Sequence, residues 1–393
     1  MSLRDEFLLD PGVVFLNHGS FGATPIPVFE EYQRWQRELE RQPVEFLSRR
    51  ADDLLDAARA PLAAYLNADP GSLVYLPNAT TGVNVVARSL RLAPGDEVLG
   101  TDLEYGACDA TWDHLCARAG ARYVRQSIPL PATTPEAIAD ALWAGVTPRT
   151  KVVYLSHVTS ATALTLPVAD VCRRAREAGI LSVVDGAHAP GHLPLDLDAI
   201  GADVYAGNLH KWLCAPKGSG FLHVRPEHHG WIESPIVSWG WVEGSDARRP
   251  EATEFVNRNQ WQGTRDLAAY LATPAAIRFQ EERDWLAVRA RCHELAKEAL
   301  RQVVALTGAE PLSPEPEPGG FPWFVQMVAC PLPPVDAKLL KRRMVDEDRV
   351  EAPVTTRGDR AFLRLSFQGY NTESDLEAAV SSLARLLPAV AVG

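Results

Sequence analysis

A lysine and an aspartate carry the chemistry to be expected of this chain. Lys211 stands in Asn208-Leu209-His210-Lys211-Trp212, between Ala202-Asp203-Val204-Tyr205-Ala206-Gly207 and the turn Pro216-Lys217-Gly218-Ser219-Gly220, which leads into Phe221-Leu222-His223-Val224. Upstream by 26 positions, Leu181-Ser182-Val183-Val184 runs into Asp185-Gly186-Ala187-His188. A lysine held between a strand and a glycine-rich turn suits Schiff-base formation, and an aspartate closing a neighbouring strand suits pairing with a pyridinium nitrogen. Taken singly, each residue has an ordinary reading, a solvated lysine and a helix N-cap aspartate. Together, with their flanks, they favour the chemical one.

Such chemistry needs an anchor. Leu73-Val74-Tyr75-Leu76 reads as a strand, Pro77-Asn78-Ala79-Thr80-Thr81-Gly82 follows it, and Val83, Val86, Ala87 and Leu90 then recur at helical spacing. A hydroxyl-rich turn at a helix N-terminus offers N–H groups and a positive dipole end to a phosphate; alternatively Thr80 and Thr81 merely cap the helix. The phosphate reading gains from the lysine, because pyridoxal phosphate needs a phosphate cup as well as an amine. Tyr105 follows the strand that begins at Glu97 and either stacks on a cofactor ring or packs in the core.

These residues need elements that bring them together. Strand, turn and helix alternate from about Leu73 to Val224, which predicts an α/β fold with a mainly parallel sheet and crossover helices. Ligands in such sheets bind beyond the carboxyl ends of the strands. Thr80, Tyr105, Ser160 and Asp185 all follow strand ends and should converge on one edge. Before this region, residues 27–66 read as helix, punctuated by Pro43 and Pro61. After it, 231–254 is irregular, and Trp239, Trp241 and Trp261 either line a pocket or pack. The remainder reads as a smaller α/β unit: helices at 267–279 and 281–304, a strand at 324–328, a helix at 337–346, a strand at 362–366 and a last helix at 374–387. On the 362–366 strand, alternation puts Arg364 on one face and Leu363 and Leu365 on the other.

Composition removes other classes. The chain has 393 residues, 46% hydrophobic and 23% charged, the profile of an ordinary globular protein of two domains. A net charge of -11 argues against a nucleic-acid binder. No run approaches a membrane span of about 20 apolar residues, and the charged N-terminus lacks a signal-peptide core, so the expectation is a cytoplasmic protein. The six cysteines include no C-x-x-C pair, and the histidines no H-E-x-x-H, so no metal site is signalled. Lys217-Gly218-Ser219-Gly220 precedes its strand and lacks the third glycine of a dinucleotide fingerprint. Gly19-Ser20-Phe21-Gly22 is not a hydrolase nucleophile elbow.

Over nearly the whole chain these motifs resemble the class V aminotransferase group of fold-type-I pyridoxal-phosphate enzymes. Leu16-Asn17-His18-Gly19-Ser20-Phe21-Gly22 and Asn78-Ala79-Thr80-Thr81-Gly82-Val83-Asn84 are most similar to its isopenicillin N epimerase-like branch. The resemblance implies a large domain at 21–264 with a seven-stranded-type sheet, and a small domain made of 1–20 and 265–393. It implies that Lys211 holds the cofactor and shuttles the α-proton, and that Asp185 keeps the pyridine nitrogen protonated. It places Ser160 and His188 near the ring oxygen, Tyr105 on the ring face, and Thr80, Thr81, Asn208 and His210 at the phosphate, with Ala79 among the cofactor contacts. Thr264 would reach the phosphate of a neighbouring subunit, which implies a homodimer. Arg364 would grip the substrate carboxylate with two prongs, Asn17 and His18 beside it.

One departure from relatives matters: residues 351–364 contain no cysteine, which argues against persulfide-forming desulfurase chemistry. The expected function is therefore a pyridoxal-phosphate enzyme acting at the α-carbon of an amino-acid-type substrate. Epimerisation is the first reading, and transamination or β-elimination of a sulfur compound the alternative. A non-catalytic binding protein on the same fold is opposed by the intact Lys211, Asp185 and Arg364.

Overall fold

The structure is a computed structural model that describes residues 3–245 and 248–392. Its strands in chain order are β1 (Val14–Phe15), β2 (Leu73–Leu76), β3 (Glu97–Thr101), β4 (Arg122–Gln126), β5 (Thr150–Ser156), β6 (Leu181–Gly186), β7 (Val204–Asn208), β8 (Gly220–Val224), β9 (Met327–Leu332), β10 (Val350–Glu351), β11 (Val354–Arg357) and β12 (Arg360–Ser366). The main helices are α1 (Ile26–Arg41), α2 (Ala51–Leu66), α3 (Ala79–Ser89), α4 (Gly106–Ala119), α5 (Pro135–Trp143), α6 (Val168–Glu177), α7 (Trp285–Thr307), α8 (Ala337–Asp348) and α9 (Glu373–Val390).

A seven-stranded sheet of order β2-β8-β7-β6-β5-β3-β4 forms the centre. β8 runs antiparallel to both neighbours, and every other pairing is parallel. The fold is thus α/β with a mainly parallel sheet. Residues of β2, β3, β7 and β8 are buried along their whole length, because helices cover both faces of such a sheet. Valine, leucine and tyrosine at alternating positions split into two apolar clusters, one on each side. Asn78 caps α3 by accepting from the Thr81 N–H, so the helix begins immediately after β2 ends.

β11-β12-β9 make a separate antiparallel sheet; α7 packs on β9 and β12 and α8 on β11, while α9 packs on α7 and α8. The N-terminal segment joins this unit: β1 pairs in parallel with β10, and the Ser366 N–H donates to the Leu16 carbonyl.

Several element limits differ from the sequence expectation. The expected strand at 324–328 is Met327–Leu332, with Pro331 inside it; β9 is an edge strand, where a missing N–H is tolerated. The helical region 27–66 breaks at Pro43 into α1, a short turn Pro43–Glu45, a wide turn Phe46–Arg50 and α2. The helix at 267–279 is two pieces, Ala268–Leu271 and Thr273–Glu281, with Pro274 opening the second. Both pieces pack on α1 and α2. Among the described residues no helix is long and apolar enough to cross a membrane.

Candidate active site

A cavity of about 240 Å³ opens at the carboxyl edge of β5, β6 and β7. Eight of the candidate residues line it: Thr80, Tyr105, Ser160, Asp185, His188, Asn208, His210 and Lys211. They come from the carboxyl ends of five strands, β2, β3, β5, β6 and β7, or the connections that follow them. Parallel strands with right-handed crossovers present every carboxyl end on the same edge, which is why positions so far apart converge.

Lys211 follows β7 in a tight backbone loop. The Ser219 carbonyl accepts from the N–H groups of Leu209 and His210, and the Lys211 carbonyl accepts from the Cys214 N–H. Its Nζ lies 3.2 Å from His188 Nε2. Burial, with repulsion from the Arg364 guanidinium, lowers the amine to about 8, against the pull of Asp185. An amine near neutrality is a nucleophile at ordinary pH.

Asp185 sits at the end of β6 with 3% of its surface exposed. Its Oδ1 accepts from the Ala187 N–H at 2.8 Å, and its Oδ2 from the Cys108 thiol at 3.5 Å and the Tyr154 hydroxyl at 3.3 Å. No cation pairs with it within ion-pair distance among the described residues. Burial therefore outweighs these donors and raises its pKa. Cys108 and Tyr154 were not singled out by the sequence reading. The signal available was weak: Tyr154 lies on the β5 run, and Cys108 stands one turn into the helix after Tyr105.

At the opposite end, Asn208 Oδ1 accepts from the Ala79 N–H at 2.8 Å, tying β7 to the start of α3. Thr81 gives both its N–H and its hydroxyl to Asn78 Oδ1. Ala79 and Thr81 thus build the helix start, while Thr80 is the one of the three that faces the cavity. Burial holds the His210 imidazole down at about 4, and its Nδ1 meets the Ser219 carbonyl. Tyr105 lies at the cavity mouth, 46% exposed and without a ring partner among the described residues; the packed-core alternative does not hold.

Arg364 projects from β12 and is 4% exposed. Its Nη1 donates to the Ser160 carbonyl at 2.7 Å, and its Nη2 to the Ser20 hydroxyl at 2.9 Å and the Asn17 amide oxygen at 3.5 Å. All its partners are neutral, and its buried Nε has none. Burial lowers it to about 10, still cationic at neutral pH. A desolvated cation with a spare donor is a receptor for a carboxylate.

The structure does not bring every candidate to the cavity. His18 is fully buried behind it: Nδ1 meets the Tyr370 hydroxyl and Nε2 the Lys211 carbonyl, each at 2.9 Å. With both nitrogens engaged it braces the lysine backbone and has no atom to offer a substrate. Gly22 belongs to the same brace; at φ +70° an added Cβ would lie 2.0 Å from the His210 carbonyl oxygen. Asn17 acts indirectly, linking Glu351 to Arg364. Thr264 is exposed in an irregular turn and is absent from this chain's own cavity wall. Ser20, Phe21, Asn78, Ser156, Val158 and Ala187 also line the cavity; of these, Asn78 and Ser156 had the legible signal of following or ending a strand. Trp239 is 62% exposed and does not pack, whereas Trp241 donates to the Arg258 carbonyl and lies under its guanidinium.

Comparison with known proteins agrees with this geometry. A family model described as aminotransferase class V matches residues 24–379. An isopenicillin N epimerase of Amycolatopsis lactamdurans is 39% identical over 392 residues, spanning 98% of this chain and 97% of that protein. A putative L-cysteine desulfhydrase of Oryza sativa subsp. japonica is 29% identical, spanning 96% and 84% respectively. The solved apo structure of a cysteine desulfurase from Thermococcus onnurineus NA1 superposes with a TM-score of 0.83 at 20% identity, covering 99% of this chain and 98% of that one, which shows the shared fold.

Proposed function

Because the chain belongs to the class V aminotransferase family and is a pyridoxal-phosphate-dependent enzyme, we propose that it withdraws and returns the α-proton of an amino-acid-type substrate, as an epimerase. One observation carries the reading. A lowered lysine amine and a buried carboxylate meet at one cavity, and a buried arginine donates to two residues of its wall, Ser160 and Ser20; the carboxylate and the arginine have no ion-pair partners among the described residues. The cavity fits the cofactor by its donor set: a helix start with a threonine and an asparagine at one end, a carboxylate raised for want of a cation at the other, and an aromatic ring at the mouth.

When bound, pyridoxal phosphate supplies an aldehyde for an amine and a ring that takes up the electron pair left at the α-carbon. Lys211 binds the cofactor and then moves the proton at the substrate α-carbon. Asp185 holds the proton on the ring nitrogen. Thr80 and Asn208, with the α3 N-terminus, bind the phosphate. Tyr105 covers the ring face, Ser160 and His188 orient its oxygen side, and Arg364 binds the substrate carboxylate. A buried cation and a low-dielectric wall favour a charged substrate group over water in that position.

The likeness to an L-cysteine desulfhydrase favours one second reading, β-elimination from a sulfur-containing amino acid on the same residues. Persulfide chemistry is disfavoured: Cys330 lies buried in β9, where burial pushes its thiol far up. Thr264, exposed on this chain, supports a homodimer in which it reaches the neighbouring cavity; a monomer active at assay concentration in light scattering would reject that. The six cysteines are all buried and free, which supports a reducing, cytoplasmic compartment.

Borohydride reduction of the purified enzyme followed by peptide mapping should find the pyridoxyl adduct on Lys211. An adduct on another lysine, or none, overturns the assignment. Screening L- and D-amino acids for solvent deuterium at the α-carbon, with keto-acid and sulfide release as the other outcomes, separates epimerisation from transamination and elimination.

A further inference from the structure

Trp212, the residue after the attachment lysine, is fully buried and does not line the cavity, so a packing role would suffice to explain its size. Its hydrogen bonding says more. The indole Nε1 donates to His188 Nδ1 at 3.3 Å. An indole N–H can only donate, so His188 Nδ1 must present its lone pair. His188 is 3% exposed, and burial, with Lys211 and Arg364 nearby, holds its imidazole neutral. A neutral ring with a bare Nδ1 carries its proton on Nε2, and Nε2 is the atom 3.2 Å from Lys211 Nζ.

We propose that Trp212 is a positioning residue for Lys211: its indole N–H fixes His188 as the Nε2–H tautomer, which turns a donor and not an acceptor toward the lysine nitrogen. An ammonium facing an N–H gains nothing from it, whereas a free amine accepts its hydrogen bond. The arrangement selects the nucleophilic form of Lys211 for condensation with a carbonyl. The indole is itself held. It stacks on His192 with centroids 4.2 Å apart and an interplanar angle of 15°, and the Trp212 carbonyl accepts from Gln280 Nε2 at 2.8 Å. His192 leaves the tautomer of His188 to Trp212: its Nδ1 meets the His188 carbonyl and its Nε2 accepts from the Gln326 N–H. The other charged or titratable groups acting on the pair are Asp185, Cys108 and Arg364 on Lys211, and Arg364, His192 and His210 on His188.

The proposal rests on Lys211 being the attachment residue, yet its central readout does not require cofactor. In the full chain freed of cofactor and labelled with ring-¹⁵N histidine, the His188 signals, assigned through their loss in His188→Gln, should show Nδ1 bare and Nε2 protonated. Trp212→Phe keeps a ring against His192 and removes only the donor. It should populate the other tautomer, which accepts from an ammonium, and move the pH midpoint of pyridoxal phosphate capture upward by about 1 unit, the ordinary spread of environmental shifts. In His188→Gln, adding Trp212→Phe should move that midpoint no further. A wild-type Nδ1–H ring, an unchanged tautomer and midpoint in Trp212→Phe, or an equal shift of the midpoint without His188, each overturns the proposal. If Trp212→Phe does not fold, the wild-type spectrum decides. A failed adduct at Lys211 with the expected tautomer sinks the functional assignment and not this hydrogen-bonding reading.

Discussion

Glu97 and Asp185 are carboxylates of the same seven-stranded sheet, 1% and 3% exposed, at opposite ends of their strands. Glu97 opens β3. It accepts from Thr147 Oγ1 at 2.6 Å, from Arg122 Nη2 at 2.8 Å, and from Arg149 Nε and Nη2 at 3.1 and 2.9 Å. The Thr147 hydrogen bond and the two guanidinium groups hold it below the usual carboxylate range. Asp185, near the end of β6, receives an amide, a thiol and a phenol but no cation, and burial raises it. The fold neutralises the charge at its amino edge from within and leaves the carboxylate at its carboxyl edge without a cation among the described residues. Arg364 is the counterpart of opposite sign, a buried cation among neutral oxygens.

This contrast can be broken experimentally, most sharply at Asp185. Asp185→Asn should lower kcat by at least about 10²–10³-fold, the scale of losing one preorganised electrostatic contact. The cofactor-free chain should melt no lower than wild type, since the amide relieves an uncompensated buried charge. Near-normal turnover, or a marked loss of apo-protein stability, would put Asp185 with the structural charges. Arg364→Lys comes next. Losing the planar fork should reduce kcat/KM for a carboxylate substrate about 10–100-fold, or about 1.4–2.7 kcal/mol. Cofactor absorbance should stay unchanged, and the substrate amide should lose most of its disadvantage. An unaltered kcat/KM removes Arg364 from the site.

Glu97→Gln should do the reverse of Asp185→Asn. Urea unfolding should show a loss of about 1–3 kcal/mol, modest because Arg122 and Arg149 are more than half exposed, with kcat intact. A fall in kcat at unchanged stability would erase the distinction between the two edges.

The smallest effect concerns Glu104, buried beside the site. Its Oε2 accepts from the Ser156 N–H and hydroxyl, its Oε1 from the Thr101 hydroxyl, and burial raises it from 4.5 to about 8. The folded state therefore holds this proton more tightly than the unfolded chain. Its contribution is fully present below pH 4.5 and is lost as pH rises through about 8. Glu104→Gln mimics the protonated form, so it should cost no more than about 1 kcal/mol at pH 6 while flattening the decline of apo-protein stability toward pH 8. An equally steep decline in the variant would mean that Glu104 is already ionised at neutral pH.

The convergence of Lys211, Asp185, Thr80, Tyr105 and Ser160 was legible because it needs only local facts. Apolar runs mark where each strand ends, and the handedness of parallel crossovers puts all those ends on one edge. Arg364 was legible as a residue type on an alternating strand. Its isolation from any carboxylate was not, because that depends on which segments of distant sequence close around it.

His18 shows the same limit from the other side. Its place in Asn17-His18-Gly19-Ser20-Phe21-Gly22 suggested a substrate contact, but docking of the N-terminal segment on β10 and β12 turns it toward the Lys211 carbonyl, 193 positions away. Ala268–Leu271 and Thr273–Glu281, just past 265, also bury their apolar faces on α1 and α2, a contact with segments far upstream in the chain. Likewise Cys108 and Tyr154 reach Asp185 only because three strands and a helix pack in one order. Strand ends and residue types are written in short stretches of sequence. Which buried charge finds a partner is decided by the packing of the whole chain, where burial acts over segments that no local period relates.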